Sequence, residues 1–291
     1  KYEGKCLLRF EDTNPEKVSK EFIKAMIEDL EEYLEIKVDG TRFVSNDMEI
    51  LYEMAEKLIK NEKAFMCFCD KEALQNNRHE GLVCECRENS TEKNFEEWLQ
   101  FKKGKYVGGK AILRLKGDMK ALNHTMRDPV IFRHVKAPHY KYKKKYKVWP
   151  MYDFYNPIED SIMGVTHILR SNEFEQREEL HNYIGELLNL NKQTKVQYGR
   201  FNVEGTTTKG REIREMIESG EYIGWDDPRL VTLKALKRRG ITKEAIYELA
   251  KKCGLSKYQV NFQFEMIAAI NRKIIDPIAN RYFFVEEPKK I

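Results

Sequence analysis

The chain has 291 residues, 41% of them hydrophobic and 34% charged, which is enough for a substantial core and for two or three structural units. No apolar run approaches the roughly 18 residues that a membrane span needs, and no signal-peptide pattern opens the sequence, so a membrane-spanning protein is excluded as the expectation. With 52 basic against 47 acidic residues the net charge is +5, too mild to demonstrate a polyanion partner and compatible with one.

The chain opens on Lys1 rather than Met, as a sequence that begins inside a longer gene product would. Cys6–Phe10 reads as a short buried strand. Asn14-Pro15 follows as N-cap and first helical residue, and Val18, Phe22, Ile23, Met26, Ile27 and Leu30 repeat at helical spacing through Leu34. A second amphipathic helix is predicted over Asn46–Lys60, then a short apolar strand at Ala64–Met66. Strand, helix and strand in that order predict a parallel α/β sheet. From Cys67 to about Lys147 the pattern breaks: a helix near Glu92–Phe101 and β-like runs at Ala111–Leu115 and Val130–Val135 read as an insertion between two halves of the α/β fold. The sheet pattern resumes at Lys147–Phe154 and Val165–Leu169, followed by a helix over Asn172–Leu188. After Arg200 the chain is predicted mostly helical, near Arg211–Ser219, Leu230–Arg239, Lys243–Cys253 and Ser256–Lys273, with Thr242 and Ser256 as caps of the last two.

Three segments carry candidate chemistry. In Leu8-Arg-Phe-Glu-Asp-Thr-Asn-Pro15 a carboxylate, Glu11, follows a strand, where open α/β sheets bind ligands, and can hold an ammonium group; taken alone, Glu11 and Asp12 are more commonly a turn that caps the next helix. In Gly164-Val-Thr-His-Ile-Leu-Arg-Ser-Asn-Glu173, Arg170 ends an apolar strand and offers a planar fork to a carboxylate, or forms an ordinary salt bridge. In Gly205-Thr-Thr-Thr-Lys-Gly-Arg211, glycine and threonine followed by cations suit a loop closing over phosphates, or a solvated basic turn. The run of Lys141, Lys143, Lys144, Lys145 and Lys147 among Tyr140, Tyr142 and Tyr146 admits a hairpin tip or a phosphate-contacting surface.

Of six cysteines, four form two Cys-x-Cys pairs, Cys67/Cys69 and Cys84/Cys86, with fourteen residues between them. Four thiolates so placed can surround one tetrahedral zinc, or form a buried reduced cluster; the pattern is not that of a secreted disulfide scaffold and points to a cytoplasmic protein.

Taken in order, LRFEDTNP, PMYDF, GVTHILRSNE and GWDDPRLVTL resemble the class I aminoacyl-tRNA synthetases specific for glutamate and glutamine, over nearly the whole chain. The resemblance implies a Rossmann-type doubly wound parallel sheet with an inserted α+β acceptor-binding domain and a C-terminal helical subdomain. The corresponding divisions are 1–66, 67–147, 148–210 and 211–291. It places Glu11 where the family binds the substrate α-amino group. Tyr152 and Asn156 fall on pocket-lining residues, and Ser171 and Glu173 lie beside ATP and the tRNA 3′ end. Arg170 implies glutamate over glutamine, because glutamine enzymes carry a small uncharged residue there and a buried arginine facing a neutral amide loses its counter-ion. The implied partners are tRNA-Glu, glutamate and ATP with Mg²⁺, with Zn²⁺ on the cysteines, in a monomer without membrane contact. A glutamine–tRNA ligase and a non-catalytic tRNA-binding relative are the alternatives.

Two departures qualify the resemblance. A His-Ile-Gly-His signature would precede Lys1, together with the sheet's central strand, so residues 1–291 alone are expected to fold poorly and not to aminoacylate. The second ATP signature falls on Thr207–Arg211 in degenerate form. Gly210 sits where the catalytic lysine is expected and Lys209 one place early, while Arg211 keeps its position. Anticodon-binding barrels would follow, within reach of residues 274–291 alone.

Overall fold

Strand β1 (Leu7–Phe10) pairs in parallel with β2 (Gly40–Phe43), and helix α1 (Lys20–Glu28) lies between them in sequence. In this computed structural model, which describes residues 4–289, that β-α-β element opens the first of two units. The first unit runs to Glu31 and continues over Ile36–Gln197; the second takes Glu32–Glu35 and the chain from Tyr198 onward. The helix starts later than Asn14-Pro15 predicts. Asn14 instead closes a turn through its carbonyl to Lys17 N–H at 3.0 Å, and Ser19 is the cap, its hydroxyl accepting from Phe22 N–H at 3.2 Å. Two sites in this stretch could cap a helix, and the turn chemistry of Asn-Pro won. Strand β2 was not predicted at all, because Gly-Thr-Arg-Phe carries no apolar alternation of its own.

Helix α2 (Met48–Lys60) buries Met48, Leu51, Tyr52, Ala55, Leu58 and Ile59, a stripe at 3.6-residue spacing. It packs on an antiparallel four-stranded sheet of β3 (Ala64–Cys67), β4 (Ile112–Leu115), β5 (Val130–His134) and β6 (Val148–Pro150), in that order. Helices α3 (Lys71–Glu80) and α4 (Thr91–Lys102) connect β3 to β4. Ala64–Cys67 therefore does not close a parallel βαβ unit with Leu7–Phe10: its partner is β4, in antiparallel register. A buried apolar strand reads the same in either kind of sheet, so sequence could not separate them.

Of the run Lys147–Phe154 that reads as strand, Val148–Pro150 forms one, and the end, Tyr152–Phe154, belongs to helix α5 (Tyr152–Ile162). It is followed by β7 (His167–Ser171), a 3₁₀ turn (Asn172–Arg177), α6 (Glu178–Leu188) and β8 (Thr194–Tyr198), which pairs with β7. The core of this unit is aromatic. Trp98, Trp149, Phe132 and Phe154 are fully buried, and Trp98 meets Phe132 edge-on at 5.2 Å.

The second unit contains β9 (Phe201–Val203), α7 (Gly210–Glu218), α8 (Leu233–Arg238), α9 (Lys243–Cys253), β10 (Val260–Phe262) and α10 (Phe264–Ile275). Strands β9 and β10 pair in parallel, so the unit is not all-helical. Ser256 begins no helix and precedes β10. Thr242 does cap α9, its hydroxyl accepting from Ala245 N–H. The core gathers Val203, Leu236, Ile241, Ala245, Phe262, Ile267 and Ile270, and Tyr33 donates to the Ile241 carbonyl at 2.7 Å. Among the described residues no helix is long and apolar enough to cross a membrane.

Candidate amino-acid site and cysteine cluster

Four of the residues singled out in the sequence come together in the first unit, on β1, α5 and β7. Glu11, just past β1, accepts from Asn156 Nδ2 at 3.2 Å. The same Asn156 accepts through Oδ1 from Arg170 Nη2 at 2.6 Å, so one amide bridges the acid and the base. Arg170 lies over the ring of Tyr152, 5.8 Å from its centroid, and over Phe174 at 6.0 Å. Burial pushes the Tyr152 hydroxyl up to about 12, so it remains a neutral donor at physiological pH.

The charges are unevenly compensated. Arg9, not singled out in the sequence as a site residue, donates to Glu11 at 3.2 Å and to Asp160 at 2.5 Å. Among the described residues, Arg170 has no carboxylate at hydrogen-bond distance; Asp160 Oδ2 stands 3.7 Å away, and the arginine side chain is 18% exposed. A guanidinium so placed, with neutral partners and aromatic walls, can take a carboxylate from a ligand. Glu11, 35% exposed, can take an ammonium group beside it. Ser171 ends β7 with its hydroxyl oxygen buried and without a hydrogen bond, and Glu173 lies in the following 3₁₀ turn.

Beside this constellation, Glu159 is fully buried with one oxygen on Arg42 Nε at 3.1 Å and the other without a partner. Burial first, and Asp47 second, push its carboxyl up from 4.5 to about 7. Between those two values the folded chain holds a proton that the unfolded chain has lost, so stability falls as pH rises through this window and levels off above it. The expected loss is about 3 kcal/mol. Glu159→Gln keeps an acceptor for Arg42 and should remove that slope in urea titrations at pH 5 and pH 8; an unchanged slope would refute the assignment.

Lys209 and Arg211 lie in the second unit, at the start of α7. Lys209 Nζ binds Glu212 at 2.7 Å and Arg211 Nε binds Glu215 at 2.9 Å, and both side chains are exposed. With Arg200, Thr206, Thr207 and Tyr222, Lys209 lines a cleft of about 520 Å³.

The four cysteines form one group. All four sulfurs lie within 4.8 Å of one another, and Cys67 and Cys84 are 3.9 Å apart. Four sulfurs at the zinc–thiolate distance of about 2.3 Å from a tetrahedral centre would be roughly 3.8 Å apart, so the donor set fits a zinc ion. The surroundings fit as well. Phe68 N–H points at Cys86 Sγ at 3.5 Å, and the buried Arg114 donates towards Cys84 at 3.4 Å and Cys67 at 3.7 Å. A register shift at Leu113/Arg114 in β4 accompanies this inward arginine, a residue that spacing alone does not reveal.

The lysine-rich segment divides by residue type. Its tyrosines turn inward, Tyr140 onto Asp12, Tyr142 onto Asn46 and Tyr146 onto Glu49, at 2.9, 3.0 and 2.9 Å. Lys143 and Lys144 stay exposed, with Lys143 at φ 52° in the tight turn that bridges back to His139.

The family of class I tRNA synthetases for E and Q, catalytic domain, matches residues 1–277. The glutamate–tRNA ligase of Pyrococcus horikoshii is 43% identical over 290 residues, covering 99% of this chain and 51% of the relative. That of Methanocaldococcus jannaschii is 38% identical over 291 residues, covering 100% and 52%. The chain thus spans about half the length of the curated relatives it matches. Among solved structures, the glutamate tRNA ligase of Elizabethkingia meningosepticum superposes with a TM-score of 0.64 at 17% identity, covering 94% of this chain and 64% of that one. The glutamate–tRNA synthetase of Elizabethkingia anophelis does so at 0.64 and 18%, with the same coverage. The shared fold is the α/β, Rossmann-type catalytic fold of class I enzymes. A match of this extent over the motifs from Glu11 to Arg211 makes the chain a member of the class I tRNA synthetases for glutamate and glutamine, within their catalytic domain.

Proposed function

We propose that the chain carries the amino-acid-activating part of an ATP-dependent glutamate–tRNA ligase. The observation that supports this most is Arg170, three-quarters or more enclosed, with aromatic walls and, among the described residues, no carboxylate nearer than Asp160 at 3.7 Å. In this reading the ligand's side-chain carboxylate takes Arg170, its ammonium group takes Glu11, and Asn156 and Tyr152 keep the two ends in register. The glutamate α-carboxylate then attacks the α-phosphorus of ATP and pyrophosphate leaves; the terminal ribose hydroxyl of tRNA-Glu attacks the carbonyl of the resulting acyl-adenylate, the mixed anhydride breaks and AMP leaves. Ser171 and Glu173 border the ATP and tRNA 3′ end.

Lys209 and Arg211 would steady the leaving phosphates. Their pairs with Glu212 and Glu215 are solvent-exposed, and such pairs contribute little, so a polyphosphate carried by Mg²⁺ can replace them. Cys67, Cys69, Cys84 and Cys86 would hold a structural zinc in the segment 67–147, which we assign to the tRNA acceptor end. Residues 1–66 and 148–210 would form the halves of the catalytic domain, and 211–291 the helical subdomain. A cytoplasmic monomer is the state in which we expect it to act.

The test is AMP formation by the gene's full-length product with ATP, tRNA and either glutamate or glutamine. Glutamate-dependent turnover supports the proposal, and glutamine-dependent turnover replaces it with a glutamine enzyme. Normal tRNA binding without AMP release would favour a non-catalytic relative, the reading that Gly210 in the phosphate loop invites.

A further inference from the structure

Two further residues sit behind Arg170, Asp153 of the PMYDF segment and His181, which lies in none of the motifs. His181, on α6, is almost wholly enclosed, with its side chain 3% exposed. Its Nδ1 lies 3.1 Å from Arg170 Nη1, and its Nε2 lies 3.0 Å from Asp153 Oδ1 on α5. Asp153 in turn binds Arg177 from the 3₁₀ turn after β7.

An arginine can only donate, so a hydrogen bond from Arg170 Nη1 requires a bare lone pair on Nδ1. A carboxylate can only accept, so Asp153 requires the proton on Nε2. Both demands are met by one species, the neutral ring protonated at Nε2. A doubly protonated ring would set an N–H against the guanidinium, and one of the two would have to turn away.

We infer that Asp153 and His181 are positioning residues that fix the guanidinium of Arg170 for a ligand carboxylate, through a neutral histidine holding its proton on Nε2. The inference rests on the reading of Arg170 given above. Asn156 holds the second arm of the same guanidinium at 2.6 Å, so the two partners together leave it one orientation over Tyr152. Without His181 the arm at Nη1 would be free to swing towards Asp160, 3.7 Å from the other terminal nitrogen.

The groups facing the ring come from every element around it. Asp153 contacts it from α5, Arg170 from β7, and the Tyr152 ring stands 5.7 Å away. Lys195 on β8 acts on it through its charge. Burial chiefly pushes the histidine below its ordinary value of 6.5; Asp153 opposes this, while Arg170 and Lys195 add to it. The relay is therefore intact at neutral pH and is lost only as pH falls below the ordinary histidine range, so glutamate affinity should be level from about pH 7 to 8 and drop in acid.

Two measurements test the inference separately from the functional reading. Nitrogen NMR of ¹⁵N-histidine protein, with His181 assigned by its loss in His181→Gln, reads the ring without any ligand. Protonation at Nε2 alone at pH 7.5 is expected; a proton on Nδ1 overturns the inference whatever the protein binds. Calorimetric titration of the full-length protein with glutamate gives the second readout. His181→Phe, which fills the same space without nitrogen, should weaken glutamate about tenfold or more in affinity and KM while leaving kcat within about threefold. His181→Gln can accept from Arg170 and donate to Asp153, so it should restore affinity to within about threefold and abolish the acid limb. Tight binding by His181→Phe overturns the inference. If the unmodified protein binds no glutamate, the functional reading fails, and the NMR result still decides the relay.

Discussion

Arg170→Cys should weaken glutamate by roughly 10²- to 10³-fold in the full-length protein while affecting glutamine far less. The physical reason is the asymmetry of the site. Arg170 has Asn156 and His181 as neutral partners and no carboxylate closer than the 3.7 Å of Asp160. A ligand carboxylate would supply the counter-ion at hydrogen-bond distance that Asp160 does not, and removing one member of a buried ion pair costs about 3–5 kcal/mol. At 1.4 kcal/mol per tenfold, that is the range expected. Glutamine offers Arg170 only a neutral amide and leaves the guanidinium uncompensated, so it loses less when the arginine goes. Competition between the two amino acids, scored by AMP release for variant and unmodified protein, reads the switch directly. Unchanged discrimination would move the specificity determinant elsewhere, and equal losses for both would mean that Arg170 serves the pocket's shape rather than its charge.

Removing the metal expected at the four cysteines should have the second large effect. Purified protein is expected to carry about one zinc per chain, and less than about half would count against the site. Cys84→Ser should abolish that zinc and lower stability by several kcal/mol, on the order of 10 °C in Tm. Chelation of the unmodified protein should do the same. Cys253→Ser, half-buried in the other unit, should do neither. The magnitude follows from what the metal would hold together. Cys67 ends β3, Cys84 precedes and Cys86 lies within a 3₁₀ turn (Glu85–Glu88), and Arg114 reaches Cys67 and Cys84 from β4 with a charge that four thiolates and a zinc would balance. Without the metal the thiols compete for protons: Cys84 is pushed up, first by its hydrogen bond to Cys67, and burial pushes Cys69 up to about 11. The hydrogen bond with Cys84 holds Cys67 down, so a reduced cluster without metal would set less negative charge against Arg114 than four thiolates do, with Asp128 at 3.9 Å. Metal analysis with thermal melting separates the two cases.

The family was legible in the residues themselves. Short segments such as LRFEDTNP and GVTHILRSNE carry chemistry that depends on residue type and order, and both survive in a linear reading. The same holds for amphipathic helices: α2 and α9 follow the period of their apolar residues, because each buries one face whatever it packs against. Local signals failed where pairing was the issue. Ala64–Cys67 is a buried strand in either register, and only its hydrogen bonds to Ile112–Leu115 made it antiparallel. The three-residue strands β9 and β10 are too short to announce themselves, and each exists because the other is beside it.

The site divides along the same line. Glu11 and Arg170 could be named in the sequence, since an acid and a base at strand ends suit a zwitterionic ligand, while Asn156 followed from the resemblance alone. Only the tertiary structure decided that Asn156 bridges the other two, that Arg9 pairs with both Glu11 and Asp160, and that His181 and Asp153 stand behind Arg170. It likewise decided that Arg114 turns inward onto the sulfurs. Asp160, His181 and Arg114 stand outside the motifs, Arg9 and Asp153 lie within them without an evident role, and the charge balance of all five depends on distances between segments that sequence order leaves undetermined.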